Sequence, residues 1–195
     1  MPQILIINST TREGRFSEKA AAWVVDQLKG RSDFTVDLLD LREHPLPFFD
    51  QPMSPMYTLR DYPSEKIAKF GRRVDAADGF LILTAEYNHG YTAVLKNAMD
   101  HTLVEWRRKP VAFVGWGNVG GARAIEQLRE VAVEFEMAPL RHAVHILPDI
   151  LVPAIQAPEP FDDSIFAPLE PKLKVLADDL AWWTKALADA RATAD

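Results

Sequence analysis

The sequence contains no cysteine, and this absence excludes several kinds of chemistry at once. A chain without thiols has no disulfide framework, no thiolate metal ligand and no cysteine nucleophile. Any redox reaction therefore needs a cofactor that the protein binds. Long apolar runs are absent as well, and the start of the chain lacks the pattern of a secretory signal. We therefore expect a cytoplasmic protein that does not enter a membrane.

Positive charge is in deficit, with 22 Lys and Arg against 28 Asp and Glu, and the formal net charge is −6. Because the two signs are interspersed, we expect no basic surface for nucleic acid. The histidines are not spaced with acidic residues as metal ligands would be, so we expect no metal site. A length of 195 residues with 48% hydrophobic composition suits one domain that spans residues 1–195.

Five short apolar runs alternate with amphipathic stretches along the chain. The predicted strands are residues 3–8, 34–39, 79–84, 111–115 and 143–147. The predicted helices are residues 17–30, 64–77, 92–104, 121–137 and a last helix through 173–187. This alternation predicts an α/β fold, a flavodoxin-like doubly wound parallel sheet of five strands in the order 2-1-3-4-5, with helices on both faces.

Two long connections do not fit the alternation. Residues 148–171 are rich in proline, which predicts a surface excursion or a subunit contact without helix. Residues 42–63 are polar but carry apolar side chains that often cover a ligand or a partner in such loops. These side chains are Phe48, Phe49, Met53, Met56 and Tyr57.

The loop after the first strand has the composition of a phosphate-binding site. It supplies hydroxyl groups, a flexible Gly14 and the free amides of a helix start, where the helix dipole favours an anion. Arg12 or Arg15 could add a guanidinium, and Arg12 is the preferred candidate. Ser17 has a simpler alternative role as a helix cap.

The loop after the third predicted strand, residues 85–91, is polar and aromatic. The strand before it is apolar throughout, so it is expected to be buried on both faces, with the loop at its carboxyl end. In the order 2-1-3-4-5 the switch point lies between strands one and three, and ligands bind at such points. The two loops should therefore meet in one crevice. Tyr87 could instead be a core aromatic, and Asn88 suits any tight turn.

These loops, with residues 95–100 and 115–121, resemble the NADPH-dependent FMN reductase family, which includes quinone, chromate and azo-dye reductases. The likeness covers residues 1–148. It implies noncovalent FMN, with NADPH or NADH as co-substrate. Hydride would pass through the flavin to a quinone, free flavin or another small acceptor by a ping-pong mechanism. It also implies a homodimer or homotetramer and no catalytic residue of the protein itself, since the flavin carries the chemistry.

The resemblance assigns the site residue by residue. At the phosphate it places Ser9, Thr10, Arg12, Phe16 through its amide, and Ser17. Around the isoalloxazine it places Glu86, Tyr87, Asn88, His89, Gly90 and Gly117. Two positions depart from the family pattern, because Ala85 stands where proline is usual and Ser9 where glycine is common. Neither departure removes a chemical group that the flavin needs.

Other readings of the same residues stay open at this point. The protein could be a flavodoxin-like electron carrier, or a partner-binding module, without nicotinamide chemistry. Gly115, Gly117 and Gly120 match a dinucleotide fingerprint, but the acidic residue that this fingerprint needs after the next strand is missing. Residues 107–109, Arg-Arg-Lys, are expected to be a solvated loop or to attract the 2′-phosphate of NADPH.

Overall fold

A five-stranded parallel sheet forms the centre of the computed structural model, which describes residues 1–193. The strands are β1 (Gln3–Asn8), β2 (Thr35–Asp40), β3 (Gly79–Ala85), β4 (Pro110–Trp116) and β5 (Ala138–Ile146). Their order is β2-β1-β3-β4-β5, and every neighbouring pair is parallel. The predicted flavodoxin-like fold is confirmed. The switch point lies between β1 and β3, as expected.

Helices cover both faces of this sheet. They are α1 (Ser17–Leu28), α2 (Pro55–Thr58), α3 (Glu65–Ala76), α4 (Ala93–Asp100), α5 (Ala122–Glu134), α6 (Pro148–Gln156) and α7 (Glu170–Ala192), with a 3₁₀-helix at Asp163–Leu169. One core contains side chains of α1, α6, the 3₁₀-helix and α7, and the other contains those of α3, α4 and α5. Because both faces are covered, every residue of β3 and β4 is buried, as their apolar sequences require.

The helix starts differ in how their free amides are satisfied. Ser64 caps α3 by accepting from the amide of Ile67, and Thr92 caps α4 by accepting from the amide of Leu95. At α1 and α5, by contrast, the N-cap residue makes no side-chain cap hydrogen bond. The alternative role of Ser17 as a cap is therefore wrong, because Ser17 is itself the first residue of α1. The starts of α1 and α5 both lie at the carboxyl edge of the sheet, so their amides are available to other groups there.

The prediction that residues 148–171 lack helix is wrong. Pro148 begins α6 at a position where the missing N–H is not needed, so proline there starts a helix and does not break it. Leu151 and Ala154 bury the inner face of α6 in the core. Pro139 was likewise expected to lie outside regular structure, but it lies inside the edge strand β5, where a missing backbone donor is tolerated. This strand consequently begins earlier than the pattern predicted.

Among the residues that the structure describes, no helix has both the length and the apolar character that a bilayer span requires.

Candidate functional site

The loops after β1 and β3 meet at the carboxyl edge of the sheet and form the walls of a crevice of ≈ 330 Å³. The loop after β4 and one side of α6 complete it. Of the site residues expected from the sequence, those that line it are Thr10, Arg12, Phe16, Ser17, Glu86, Tyr87 and Gly117. The two loops that the sheet order was expected to bring together are therefore adjacent.

The α1 end of the crevice is rich in hydroxyl groups. Thr10 and Ser17 are both buried, and the Thr10 hydroxyl donates to Ser17 Oγ over 2.5 Å. Ser9 is fully buried too, and its Oγ has no hydrogen-bond partner within the described part of the chain. Ser9 does not line the crevice, so its expected contact with the cofactor stays a prediction. With the uncapped amides of α1, the hydroxyls of Thr10 and Ser17 form a site suited to an anion.

The two arginines of this loop have different environments. Arg15 is buried, and its guanidinium donates to both carboxylate oxygens of Asp40, at 2.8 and 2.5 Å, and to Glu18 at 3.1 Å. Burial opposes its charge, but the hydrogen bonds to Asp40 and Glu18 outweigh this effect and raise the pKa of Arg15. Arg12 is exposed, with its guanidinium carbon 5.6 Å from the centre of the Tyr87 ring. Arg15 is thus held within the loop, whereas Arg12 faces solvent beside the crevice.

The segment after Glu86 folds into a tight turn. Tyr87 and Gly90 exchange two backbone hydrogen bonds of 2.9 and 3.0 Å, and the central residues Asn88 and His89 have positive φ values of 49° and 73°. Two positive φ angles are typical of a type I′ turn. Asn88 and His89 have exposed side chains, and together with Gly90 they build the turn without lining the crevice. Their expected contact with the cofactor stays a prediction.

Glu86 lies where the β3 and β4 loops touch. Its amide donates to the carbonyl of Trp116 over 2.9 Å, and Gly117 packs directly against its side chain. A Cβ at Gly117 would lie 3.2 Å from Glu86 Cβ, and this glycine has a φ of +147°. Glycine at this position therefore permits the close approach of the two loops that was expected.

Four contributors to the site were missed in the sequence. Trp116 is buried against Phe16, with ring centres 5.5 Å apart, and Leu151 and Ile155 line the crevice from α6. Trp116 ends a strand at the carboxyl edge, a signal that could have identified it. The residues of α6 were missed because this helix was predicted to be a loop. Arg123, on α5, was missed since only its distant partner Glu86 reveals its position.

The expectation of a solvated loop at residues 107–109 is wrong for Lys109, whereas Arg108 is exposed as expected. Lys109 directly precedes β4, so it lies at the opposite edge of the sheet from the crevice. It is buried, it donates to the carbonyls of Val74 and Asp75 at 3.1 and 2.7 Å, and burial lowers its pKa to about 8. Arg107 pairs with Glu136 at 3.1 Å. This lysine therefore supports the end of α3 and is neither solvated nor near a nucleotide at the crevice.

Comparisons with known proteins agree with this fold. A family model described as NADPH-dependent FMN reductase matches residues 2–149. An NAD(P)H-dependent FMN reductase of Schizosaccharomyces pombe is 35% identical over 159 residues, which are 80% of this chain and 80% of that protein. An NAD(P)H:quinone oxidoreductase of Solanum tuberosum is 32% identical over 148 residues, 73% of this chain and 72% of its own. A solved flavoenzyme of Paracoccus denitrificans shares the fold, with a TM-score of 0.71, 18% identity and coverage of 95% and 98%.

Proposed function

The chain belongs to the NADPH-dependent FMN reductase family and is therefore an FMN- and NAD(P)H-dependent oxidoreductase, and we propose that it reduces a quinone by a ping-pong mechanism. The name of the Solanum tuberosum relative supports the choice of acceptor. Free flavin and other small acceptors are the alternatives. We also propose that residues 1–195 act as one domain, and the cytoplasmic location stays a prediction.

The observation that supports the flavin site most strongly is the convergence of the two loops in one crevice. We assign the phosphate to the hydroxyls of Thr10 and Ser17, the amides at the start of α1 and the guanidinium of Arg12. The neighbouring Ser9 is buried behind the lining of the crevice, so its side chain does not support this assignment. The ring would lie among Glu86, Tyr87, Gly117 and Trp116, where aromatic side chains and a close backbone approach suit a flat group.

Bound FMN supplies the capacity to accept a hydride and to give up two electrons. The chain needs no nucleophile and no acid–base pair for this reaction. Its residues hold the phosphate, shield the inner wall of the crevice from water through Trp116 and Leu151, and leave the exposed side open to both substrates. Because nicotinamide and quinone would use the same open side, one has to leave before the other enters, which favours ping-pong kinetics.

The function is tested by adding FMN to the purified full-length protein and following absorbance at the flavin bands. We expect NADPH or NADH to bleach the bound flavin without any acceptor, and a benzoquinone to restore its colour. Initial rates measured against nucleotide concentration, at several fixed quinone concentrations, should give parallel lines in a double-reciprocal plot. Protein that binds no FMN would refute the proposal. Bound FMN that neither nucleotide reduces would favour the electron-carrier alternative.

We further propose that the chain forms a homodimer through the segment 42–63, or a homotetramer that contains this contact. Phe48 is 84% exposed, yet the backbone on either side of it is held in place. Asn97 donates to the carbonyl of Pro47 over 2.7 Å and accepts from the amide of Phe49 over 2.9 Å, and His101 Nε2 lies 2.9 Å from the same carbonyl. Met53, Tyr57 and Leu59 of the same segment are exposed as well, and several exposed apolar side chains together mark a protein contact, which one alone does not. Phe49, by contrast, packs inward on His101.

Replacing Phe48 by Asp should shift the protein from dimer to monomer, since a charge in an apolar contact is costly and an exposed side chain adds little to the fold. The measurement is molar mass by light scattering after gel filtration at micromolar concentration. Thermal unfolding of the variant serves as the control for folding. A wild-type protein that is already monomeric would contradict the proposed dimer.

A further inference from the structure

The carboxylate of Glu86 is buried in the wall of the crevice and is bound by one residue of α5. Its side chain is only 4% exposed. Glu86 Oε2 accepts from the amide of Arg123 over 3.1 Å, and Oε1 accepts from Arg123 Nε over 2.6 Å. We propose that Arg123 is a positioning residue that neutralises Glu86 and thereby sets the affinity and the reduction potential of the bound flavin. This inference rests on the proposed FMN site.

The start of α5 explains why Glu86 is needed there. Its N-cap is Gly121, which has no side chain to accept from the free amides of the first turn. Glu86 takes the role of a cap from a different loop, 37 positions earlier in the chain. An acceptor with negative charge at a helix N-terminus is also favoured by the helix dipole. The carboxylate thus connects the β3 loop to α5.

The guanidinium of Arg123 supplies the compensating positive charge. A carboxylate removed from water is unfavourable unless a cation and hydrogen bonds satisfy it. Two nitrogens of the Arg123 side chain contact Glu86 Oε1, so the pair has the geometry of a strong charge-assisted interaction. Arg123 itself is 39% exposed and does not line the crevice. Its effect on a bound molecule therefore has to pass through Glu86.

Glu86 can transmit this effect because it is also fixed to the β4 loop. Its amide binds the carbonyl of Trp116, and its Cβ lies against Gly117. A shift of Glu86 as a whole would therefore disturb both loops that border the proposed ring site. Loss of the Arg123 charge would in addition leave an unpaired anion in the crevice wall. Reduction adds electron density to the flavin, so this anion would disfavour the reduced cofactor more than the oxidised one.

The test compares flavin-loaded wild-type protein with Arg123→Met, which keeps the amide that binds Glu86 and removes the charge. We expect the Kd for FMN, measured by flavin fluorescence, to rise about tenfold, which is a usual size for coupling between a ligand and a residue that does not touch it. The midpoint potential, measured by dye-coupled reductive titration, should fall. Arg123→Lys should restore part of both values, because it keeps the charge but not the fork.

A second variant separates the charge of Glu86 from other effects of the substitution. In Glu86→Gln with Arg123→Met no buried anion remains, so the potential should return toward the wild-type value. A matched control is Arg72→Met on α3, which breaks the surface ion pair with Glu65 and should alter neither quantity.

The proposal is overturned if wild-type protein binds FMN and Arg123→Met shows the same Kd and potential. It is also overturned if Glu86→Gln with Arg123→Met has the same low potential as Arg123→Met alone. The carboxylate of Glu86 would then not be the cause of the lowered potential. Failure of the proposed function gives a different result, since the wild-type protein itself would bind no flavin.

Discussion

The double variant Thr10→Val with Ser17→Ala is expected to lose a large part of its preference for FMN over riboflavin, while the α1 amides and Arg12 keep the remainder. The two ligands differ only in the phosphate, so the ratio of their Kd values isolates the phosphate site. Hydrogen bonds to a charged group contribute about 1.5–3 kcal/mol each, so loss of two corresponds to a fall of roughly 10² to 10⁴ in affinity for FMN. Riboflavin should bind the variant and the wild-type protein equally well.

The variant should still fold, which makes the experiment informative. Thr10 and Ser17 donate and accept with one another, so removing both hydroxyls leaves neither of the two without its partner. Valine and alanine also keep nearly the volume of the residues that they replace. Ligand binding can be followed by quenching of flavin fluorescence, and the free energy of unfolding by urea denaturation of the flavin-free chain.

A matched control changes the same residue types elsewhere. Thr35 and Ser164 are exposed and lie outside the crevice. The variant Thr35→Val with Ser164→Ala should therefore keep the wild-type ratio of the two Kd values. If the crevice variant also keeps it, the phosphate does not lie at these hydroxyls and the assignment of the α1 loop fails.

The sequence predicts those features whose signal is local. β3 is apolar at every position, as the sequence shows, and it is buried on both faces as predicted. The place of the crevice follows from the same information, because strand order and the carboxyl-end rule together decide which loops meet. No knowledge of long-range contacts is needed for either prediction.

What the sequence does not predict depends on pairs that are distant along the chain. The loop composition offers both Arg12 and Arg15 as cations, with Arg12 preferred, and only the position of Asp40 shows why Arg15 is held inside the loop. Glu86 and Arg123 are a second such pair. The error at α6 has another origin, since Pro148 at the first turn of a helix has the same local appearance as Pro148 in a loop.

Gly121→Ala is the substitution expected to damage the fold most. Gly121 has a φ of +73°, and an added Cβ would lie 2.7 Å from the amide nitrogen of Trp116 and 2.8 Å from Gly115 Cα. The left-handed backbone alone costs an alanine about 1–2 kcal/mol. Both neighbouring atoms belong to the backbone of β4 and cannot rotate away. We therefore expect a total loss of about 3–5 kcal/mol in the free energy of unfolding, near the upper end for single substitutions.

Alanine substitutions at two other glycines separate the cost of the left-handed backbone from the cost of the steric contact. Gly14 has a φ of +61° with no atom within 4 Å of an added Cβ, and Gly30 has free space without a positive φ. Alanine at position 30 should leave stability unchanged or slightly raised, and alanine at 14 should cost about 1 kcal/mol. For a chain of this size the loss at position 121 should lower the Tm by roughly 10 °C or more. Equal Tm values for all three variants would contradict this prediction. They would mean that β4 moves to make room for the added methyl group, so that the close contact between Gly121 and β4 is not required for stability.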